Sequence, residues 1–415
     1  MITNYIKIAW KVLMRHPVYT FITLFGISLT LTVLMVLTSF LDHLLGPHYP
    51  ETKRDRSLYI MQMALRDSAQ QGQSSGPMSF RFLTDNVKSL KTPERATICT
   101  FVNSSNAYVG SQKIKLNTKF TDADFWRVMD FTFIDGKPYT EQNIANGDYV
   151  VVINDDLRNQ YFGRGDESVV GKPIEIENIR YRVIGVVKGS PFTRPFSYAD
   201  VYFPYTTPKS NYQESGIRGN YISIILAKKR ADIPAVQAEF QQRMDQIPLP
   251  ITYYGAKYTT LELNAETYTN NFLRPVLARN TGLRTILFGI IAFVLFMLLG
   301  LPTINLVNVN VSRIMERASE IGVRKAFGAS VKTLVWQFII ENIFITFIGG
   351  VIALVLTGFV IHFINQSGWI AYADLTINLS VFLISLLVCL LFGFLSGVVP
   401  ALRMSKLSIA DALKA

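Results

Sequence analysis

Few residues in this chain are spaced as catalytic residues would be. Gly165 to Gly171-Lys172 carries the letters of a phosphate-binding loop. The spacing is one residue too long, and Pro173 stands where Ser or Thr would hold magnesium. Gly72-Gln73-Ser74-Ser75-Gly76 carries the letters of a hydrolase nucleophile elbow. It lies in Gln70–Gly76, a Gly/Ser/Gln stretch that reads as a mobile loop, without the strand and helix an elbow needs. The four histidines (His16, His43, His48 and His362) fall at the edges of apolar segments or inside one, a poor supply for a triad or a metal site. The two cysteines, Cys99 and Cys389, fall in a polar region and an apolar one, which argues against a disulfide, and no zinc spacing exists. The expectation is a non-catalytic chain with no cofactor-binding or metal-binding residues of its own.

The chemistry that remains is charge. Between two apolar segments lies Ala318-Ser319-Glu320-Ile321-Gly322-Val323-Arg324-Lys325-Ala326-Phe327-Gly328-Ala329-Ser330. Glu320 and Arg324 form an i,i+4 pair that supports a helix on its solvent side. Glu316 and Arg317 extend the alternation, Ile321 and Ala326 can face a partner, and Gly328 suits a helix C-terminus. On charge alone this is a solvated connector. The competing reading is a helix that docks on a soluble partner.

The elements that position this stretch are hydrophobic. The 415 residues are 49% hydrophobic, with a mean hydropathy of +0.25. Four apolar runs, about Val18–Leu41, Thr285–Val311, Leu334–Ile364 and Thr376–Leu402, each meet the requirement of about 20 residues for a bilayer core. Short loops set the orientation. Lys7, Lys11 and Arg15 precede the first run. Arg313, Arg317, Arg324, Lys325 and Lys332 sit between the second and third, and Arg403, Lys406 and Lys414 come after the fourth. The loop from Asn365 to Leu375 has no Lys or Arg. Both termini and the middle loop are therefore expected in the cytoplasm. The formal charge of +11 fits cations flanking spans better than nucleic-acid binding, for which no basic block stands out.

The expected fold class is a membrane protein: four transmembrane helices, with an α+β extracytoplasmic domain inserted between helices 1 and 2. Residues 1–17 read as a cytoplasmic amphipathic helix, with Ile6, Ala9, Trp10 and Leu13 on one face, Lys7, Lys11 and Arg15 on another, and Pro17 ending it. The spans are 18–41, 285–311, 334–364 and 376–402. The outer domain is 46–284, the cytoplasmic loop 312–333 and the cytoplasmic tail 403–415.

In the outer domain, strands are expected at 149–153, 172–176, 181–187, 201–203 and 221–226, with a hairpin turn near Glu177–Ile179. Helical patterns fall at 80–90, 155–162 and 233–247. Within the spans, Gly349-Gly350 and Gly393-x-x-x-Gly397 offer small-residue faces for packing, and Pro302 kinks the second span. Glu341, near the start of the third, needs a partner or the interface, and a role in packing or gating is open. No span carries a run of charges that would line a hydrophilic pore.

The middle loop closely resembles the signature loop of MacB/FtsX-type ABC transporter permeases, Glu-Ile-Gly-x-Arg-Lys-Ala-x-Gly-Ala-Ser. The family pattern continues with a Gln and a Glu, matched by Gln337 and Glu341. Asp148–Ile153, Leu157, Phe162-Gly163, Val170-Gly171-Lys172, Ile174 and Tyr181–Val187 resemble the family's periplasmic core domain. Val399-Pro400-Ala401-Leu402 through Ser408–Leu413 resembles its closing segment, departing where the family usually has Pro and this chain has Ile409 or Ala410.

The resemblance implies a dimer with a second copy or a paralogue, in the inner membrane of a bacterium, with the large domain in the periplasm. It implies a cytoplasmic ABC ATPase on a separate chain, carrying ATP and Mg, whereas MacB itself carries its ATPase on the same chain. The coupling residues would be Glu316, Glu320, Ile321, Gly322, Arg324, Lys325, Ala326, Gly328 and Ala329. The implied mechanism is mechanotransmission: ATP-driven motion is relayed to the periplasmic domain for export or efflux of a peptide, toxin or drug. A periplasmic adaptor and an outer-membrane channel are open partners. A lipoprotein-releasing or cell-wall-hydrolase-activating relative, and a membrane-anchored sensor or scaffold without ATPase, are the rival readings.

Overall fold

The computed structural model describes residues 11, 13–15, 17–67, 73–109, 112–165, 167–277, 331–369, 372 and 374–387, together with isolated positions in 285–327 and 389–394. In chain order, α1 is Pro17–Leu45, β1 Ser57–Ile60, β2 Met63–Arg66, β3 Gln73–Gly76, α2 Phe80–Asn86, β4 Arg95–Thr100, β5 Asn103–Val109 and β6 Gln112–Thr121. Next come α3 Phe125–Val128, β7 Phe133–Gly136, α4 Glu141–Ala145, β8 Val150–Asn154, α5 Asp155–Phe162, β9 Pro173–Ile176, β10 Ile179–Val187, β11 Val201–Pro204 and β12 Tyr221–Leu226. The remainder is α6 Ile233–Asp245, β13 Ile251–Tyr253, β14 Ala256–Tyr258, β15 Thr260–Glu262, β16 Glu266–Thr267, α7 Tyr268–Leu277 and α8 Val331–Ser367.

The chain divides into two compact units: Met1–Asp42, Asn280–Trp369 and Asp374–Ala415 form the first, and His43–Arg279 with Ile370–Ala373 form the second. In the first, two helices are long and apolar enough to cross a membrane among the described residues, Pro17–Leu45 and Ile339–Ser367. They pack through Ile27, Leu31 and Ala353. Thr32 Oγ1 donates to its own helix at Ser28 O (2.7 Å), with Ala353 O at 3.3 Å. Phe21, Phe359 and Leu383 point outward, exposed, an apolar exterior that suits lipid. Of the other predicted spans, 285–311 lies mostly outside the described residues, and 376–402 is helical at 379–387.

Of the N-terminal segment before Pro17, only residues 11 and 13–15 are described. These residues are helical, and Pro17 is the first residue of α1. A proline in a first turn lacks only an N–H that has no intrahelical acceptor anyway. Leu13 is buried while Lys11 and Arg15 are exposed. Residues 1–10 lie outside the described residues.

The second unit is α+β. Its strands alternate side chains between faces. On β12, Ile222, Ile224 and Leu226 join one core with Tyr59, Cys99 and Tyr202. Tyr221 and Ile225 join another with Leu58, Ile60, Ile98 and the helix residues Leu83, Val236 and Phe240. The antiparallel run β6-β4-β12-β1-β16 separates these cores. On its other side, β6 enters a ring: β6 pairs β5, then β9, β10, β8 and β11, and β11 pairs β6 in parallel, so the path closes on itself. Val151, Ile153, Ile174, Val183 and Phe203 share a third core. Closure of this kind pairs strand edges that would otherwise be open.

Several expected elements stand in place. Asn154 caps α5 by accepting from Leu157 N at 2.8 Å. The β9–β10 hairpin turns at Glu177 and Asn178, both with positive φ (51° and 65°), as a two-residue primed turn requires. Two expectations differ. Gln73–Gly76 is strand β3, paired with β2, rather than a loop. And α2 stops at Asn86, after which Lys88 turns to meet Asp122 and Asp124.

Candidate functional site

The second unit begins at His43, within the last turn of α1. A helix end leaves carbonyls without intrahelical partners, and its dipole favours cations there. Two arginines supply both needs. Arg194 Nη2 donates to His43 O at 2.8 Å and to Gly46 O at 3.3 Å. Arg54 Nη1 donates to Leu44 O at 2.6 Å. The two guanidinium groups come from widely separated parts of the sequence that forms this core. The helix end is therefore gripped by folded structure rather than by its own continuation.

One carboxylate holds the second of these arginines. Glu51 Oε2 accepts from Arg54 Nε and Nη2 at 2.9 and 2.7 Å. Glu51 Oε1 accepts from Ser197 Oγ at 2.7 Å. Arg54 also lies 3.7 Å above the Tyr268 ring, a cation–π contact. Tyr59 packs on Phe196 and Tyr268 behind it. All three charged groups are nearly inaccessible: Arg194 0%, Glu51 2% and Arg54 4% exposed.

Burial works against the Arg54 charge, yet Glu51 beside it holds its pKa above the ordinary value. Arg194 makes no ion pair with a carboxylate among the described residues. Burial, and then the nearby Arg54, push it down to about 10, still cationic at neutral pH. Burial likewise pushes the Tyr59 phenol well up. The arrangement makes no nucleophile and no general base. What it can do is fix the last turn of α1, which belongs to the second unit, to that unit's core, since separating it would strand buried charges.

The residues singled out from sequence fall elsewhere. Glu316, Glu320, Ile321, Gly322, Arg324, Lys325, Ala326, Gly328 and Ala329 lie outside the described residues, as do Pro302, Gly393 and Gly397. Glu341 is buried and its Oε1 accepts from Gln337 Nε2 at 3.1 Å, one helical turn away. Gly349 faces Ile27, whose Cγ2 would lie 2.8 Å from an added Cβ, and Gly350 faces Leu386 in the same manner. Sequence reasoning missed the charge cluster itself. Its one sequence signal is Glu51 three residues before Arg54.

One helix long and apolar enough to cross a membrane runs into an α+β domain, and a second such helix follows later in the chain. Residues 20–243 match the MacB-like periplasmic core domain, and residues 290–409 match the FtsX-like permease C-terminal domain. The first match alone covers more than half the chain, which therefore belongs to the MacB/FtsX-type ABC transporter permeases. It is 28% identical over 320 residues to the macrolide export ATP-binding/permease protein MacB of Shewanella sp. (strain W3-18-1), covering 76% of this chain and 45% of that protein. It is 24% identical over 413 residues to the protein of the same name from Hahella chejuensis, covering 98% of this chain and 59% of that one. The chain thus spans about half the length of the curated relatives it matches. The periplasmic region of MacB from Actinobacillus actinomycetemcomitans is similar at a TM-score of 0.35 and 14% identity, over 54% of this chain and 94% of that structure.

Proposed function

We propose that this chain is the transmembrane subunit of an ABC exporter in which a cytoplasmic ATPase drives the periplasmic domain by mechanotransmission. Four spans, 18–41, 285–311, 334–364 and 376–402, carry the motion, and both termini lie in the cytoplasm of a bacterial inner membrane. The subunit works as a dimer. Its cargo is a periplasmic peptide, toxin or drug that need not cross the inner membrane. The relatives' names, which say macrolide export, support an export role.

The observation that carries this reading is the grip on the end of α1. A relay needs the end of a moving helix held firmly, and the last turn of α1, which belongs to the second unit, is held within that unit by a buried network of charge-assisted hydrogen bonds. The drive would enter at the loop bearing Glu320, Arg324 and Lys325, from an ABC ATPase with its own ATP and Mg.

The test is a gentle-detergent pull-down of the tagged protein from its native membrane, with mass spectrometry of the proteins that stay bound. The expected result is a stoichiometric P-loop ATPase that is lost when Glu320→Lys and Arg324→Glu are combined. A homodimer without ATPase under several lipid conditions would favour a sensor or scaffold instead.

A further inference from the structure

We infer that Tyr372 is a pin that fastens the short segment after α8 to the periplasmic-type domain. The chain leaves α8 at Ser367, and residues 370–373 fall in the second unit, while Trp369 before them and Asp374 after them fall in the first. The excursion is brief and tied at its base. Asn365 Nδ2 donates to Leu375 O, and Asn365 Oδ1 accepts from Leu375 N, both at 3.0 Å.

At the tip, Tyr372 Oη donates to Asp155 Oδ1 at 2.6 Å. The same oxygen accepts from Gly189 N at 2.9 Å. Asp155 is the first residue of α5 and is held from behind: Asn154 caps that helix and donates through Nδ2 to Asp200 Oδ1 at 3.0 Å. Gly189 forms the floor of the notch. A Cβ there would fall inside the Tyr372 ring, so only glycine lets the ring seat against the backbone. Tyr372 itself has φ +58°, a conformation that bulky side chains rarely adopt and that persists where surroundings over-determine it. Burial, and then Asp155 and Asp156, push its phenol well up, so it remains a proton donor. A donor, a fixed acceptor, a glycine notch and an uncommon backbone conformation meet at one side chain.

The pin is a non-covalent attachment made by a segment flanked by membrane helices. The attachment stands without the ATPase reading, and only its use in a relay rests on that reading. The test is hydrogen exchange on the full chain in lipid nanodiscs, tracking peptides that cover 186–190 and 368–376. Tyr372→Ala should speed exchange in both peptides at least tenfold, and Tyr372→Phe, which keeps the ring but not the bond, by less. Gly189→Val should do the same as Tyr372→Ala, and combining the two should add nothing. Should Gly189→Val fail to fold, the two Tyr372 variants still decide the matter. Unchanged exchange at 186–190 in Tyr372→Ala would overturn the pin, whatever the pull-down finds about an ATPase.

Discussion

At the end of α1, one carboxylate, Glu51, pairs with the buried Arg54, while a second buried guanidinium, Arg194, is met by backbone carbonyls. At the corner where β4 meets β6, two carboxylates, Asp122 and Asp124, share Lys88 at 2.7 and 2.8 Å, with Arg95 and Arg127 beside Asp124 at 3.2 and 3.5 Å. The second cluster is closed on itself. Asp122 accepts from Ile98 N at 3.0 Å and Phe125 N at 3.1 Å, which ties β4 to the start of α3. Its cations reach solvent. In the first cluster the surplus cation, Arg194, is answered by backbone carbonyls at a helix end. The contrast separates a charge cluster whose cations reach solvent from one whose cations are buried against a helix end. A cluster whose cations reach solvent can be lost locally, whereas one whose buried surplus cation is spent on a helix end takes that end with it.

The contrast is most vulnerable at Glu51. Glu51→Ala would leave Arg54 and Arg194 buried without an anion, which costs about 3–5 kcal/mol when one partner of a buried pair is removed. Thermal unfolding of the purified full chain in detergent should show the largest drop among variants of the two clusters. The double change Glu51→Met with Arg54→Met should recover part of it, because an apolar pair of similar volume is tolerated where a lone charge is not. A Glu51→Ala loss below about 1 kcal/mol, the range of an exposed pair, would mean the cluster is solvated and the distinction false.

Arg194→Met probes the same point at smaller size. It keeps most of the volume and removes the donor to His43 O and Gly46 O, so about 1–3 kcal/mol is expected for carbonyls left unsatisfied. The readout that matters is local. Amide exchange in the last turn of α1 should rise in Arg194→Met and stay unchanged in Lys88→Met. Equal effects of the two would show that the α1 end feels global stability only.

Sequence made the second unit legible where neighbours decide structure. Val150–Ile153 is a β-branched run, Asn154 caps the helix after it, and Glu177-Asn178 turns the hairpin, each through forces acting over a few residues. The ring was not legible, because its closure joins Val201–Pro204 to Thr118–Thr121, strands with no local signal for one another. Strand β3 reads as a loop since Gln, Ser and Gly have low strand propensity, and pairing with β2 overrides it. The α1 grip was half visible. Glu51 and Arg54 at i,i+3 look like any surface pair until burial is known, and Arg194 stands between Pro191 and Pro195 outside any regular element. For Tyr372, sequence said only that its loop lacks cations.

The weakest effect concerns the cluster at the β4–β6 corner, through pH. Burial opposes the Asp124 charge, but the Lys88 hydrogen bond, with Arg95 and Arg127 nearby, holds its carboxyl below the ordinary 3.8. A depressed folded pKa contributes stability that is present above the ordinary value and is lost as pH falls through the lowered one. Asp122 runs the other way: burial pushes it up despite Lys88, so its protonation favours the folded state as pH falls. Asp124→Asn should therefore cost no more than about 1 kcal/mol at neutral pH, as expected of a pair near the surface. That cost should vanish once the pH is taken below the Asp124 titration, where the wild-type carboxyl is also neutral. Melting curves of both proteins between pH 7 and the acid limit of the detergent would show the two converging. Curves that stay parallel would mean that Asp124 acts through the shape of its turn rather than through its charge, and the second cluster would then owe its stability to Asp122 and its backbone donors alone.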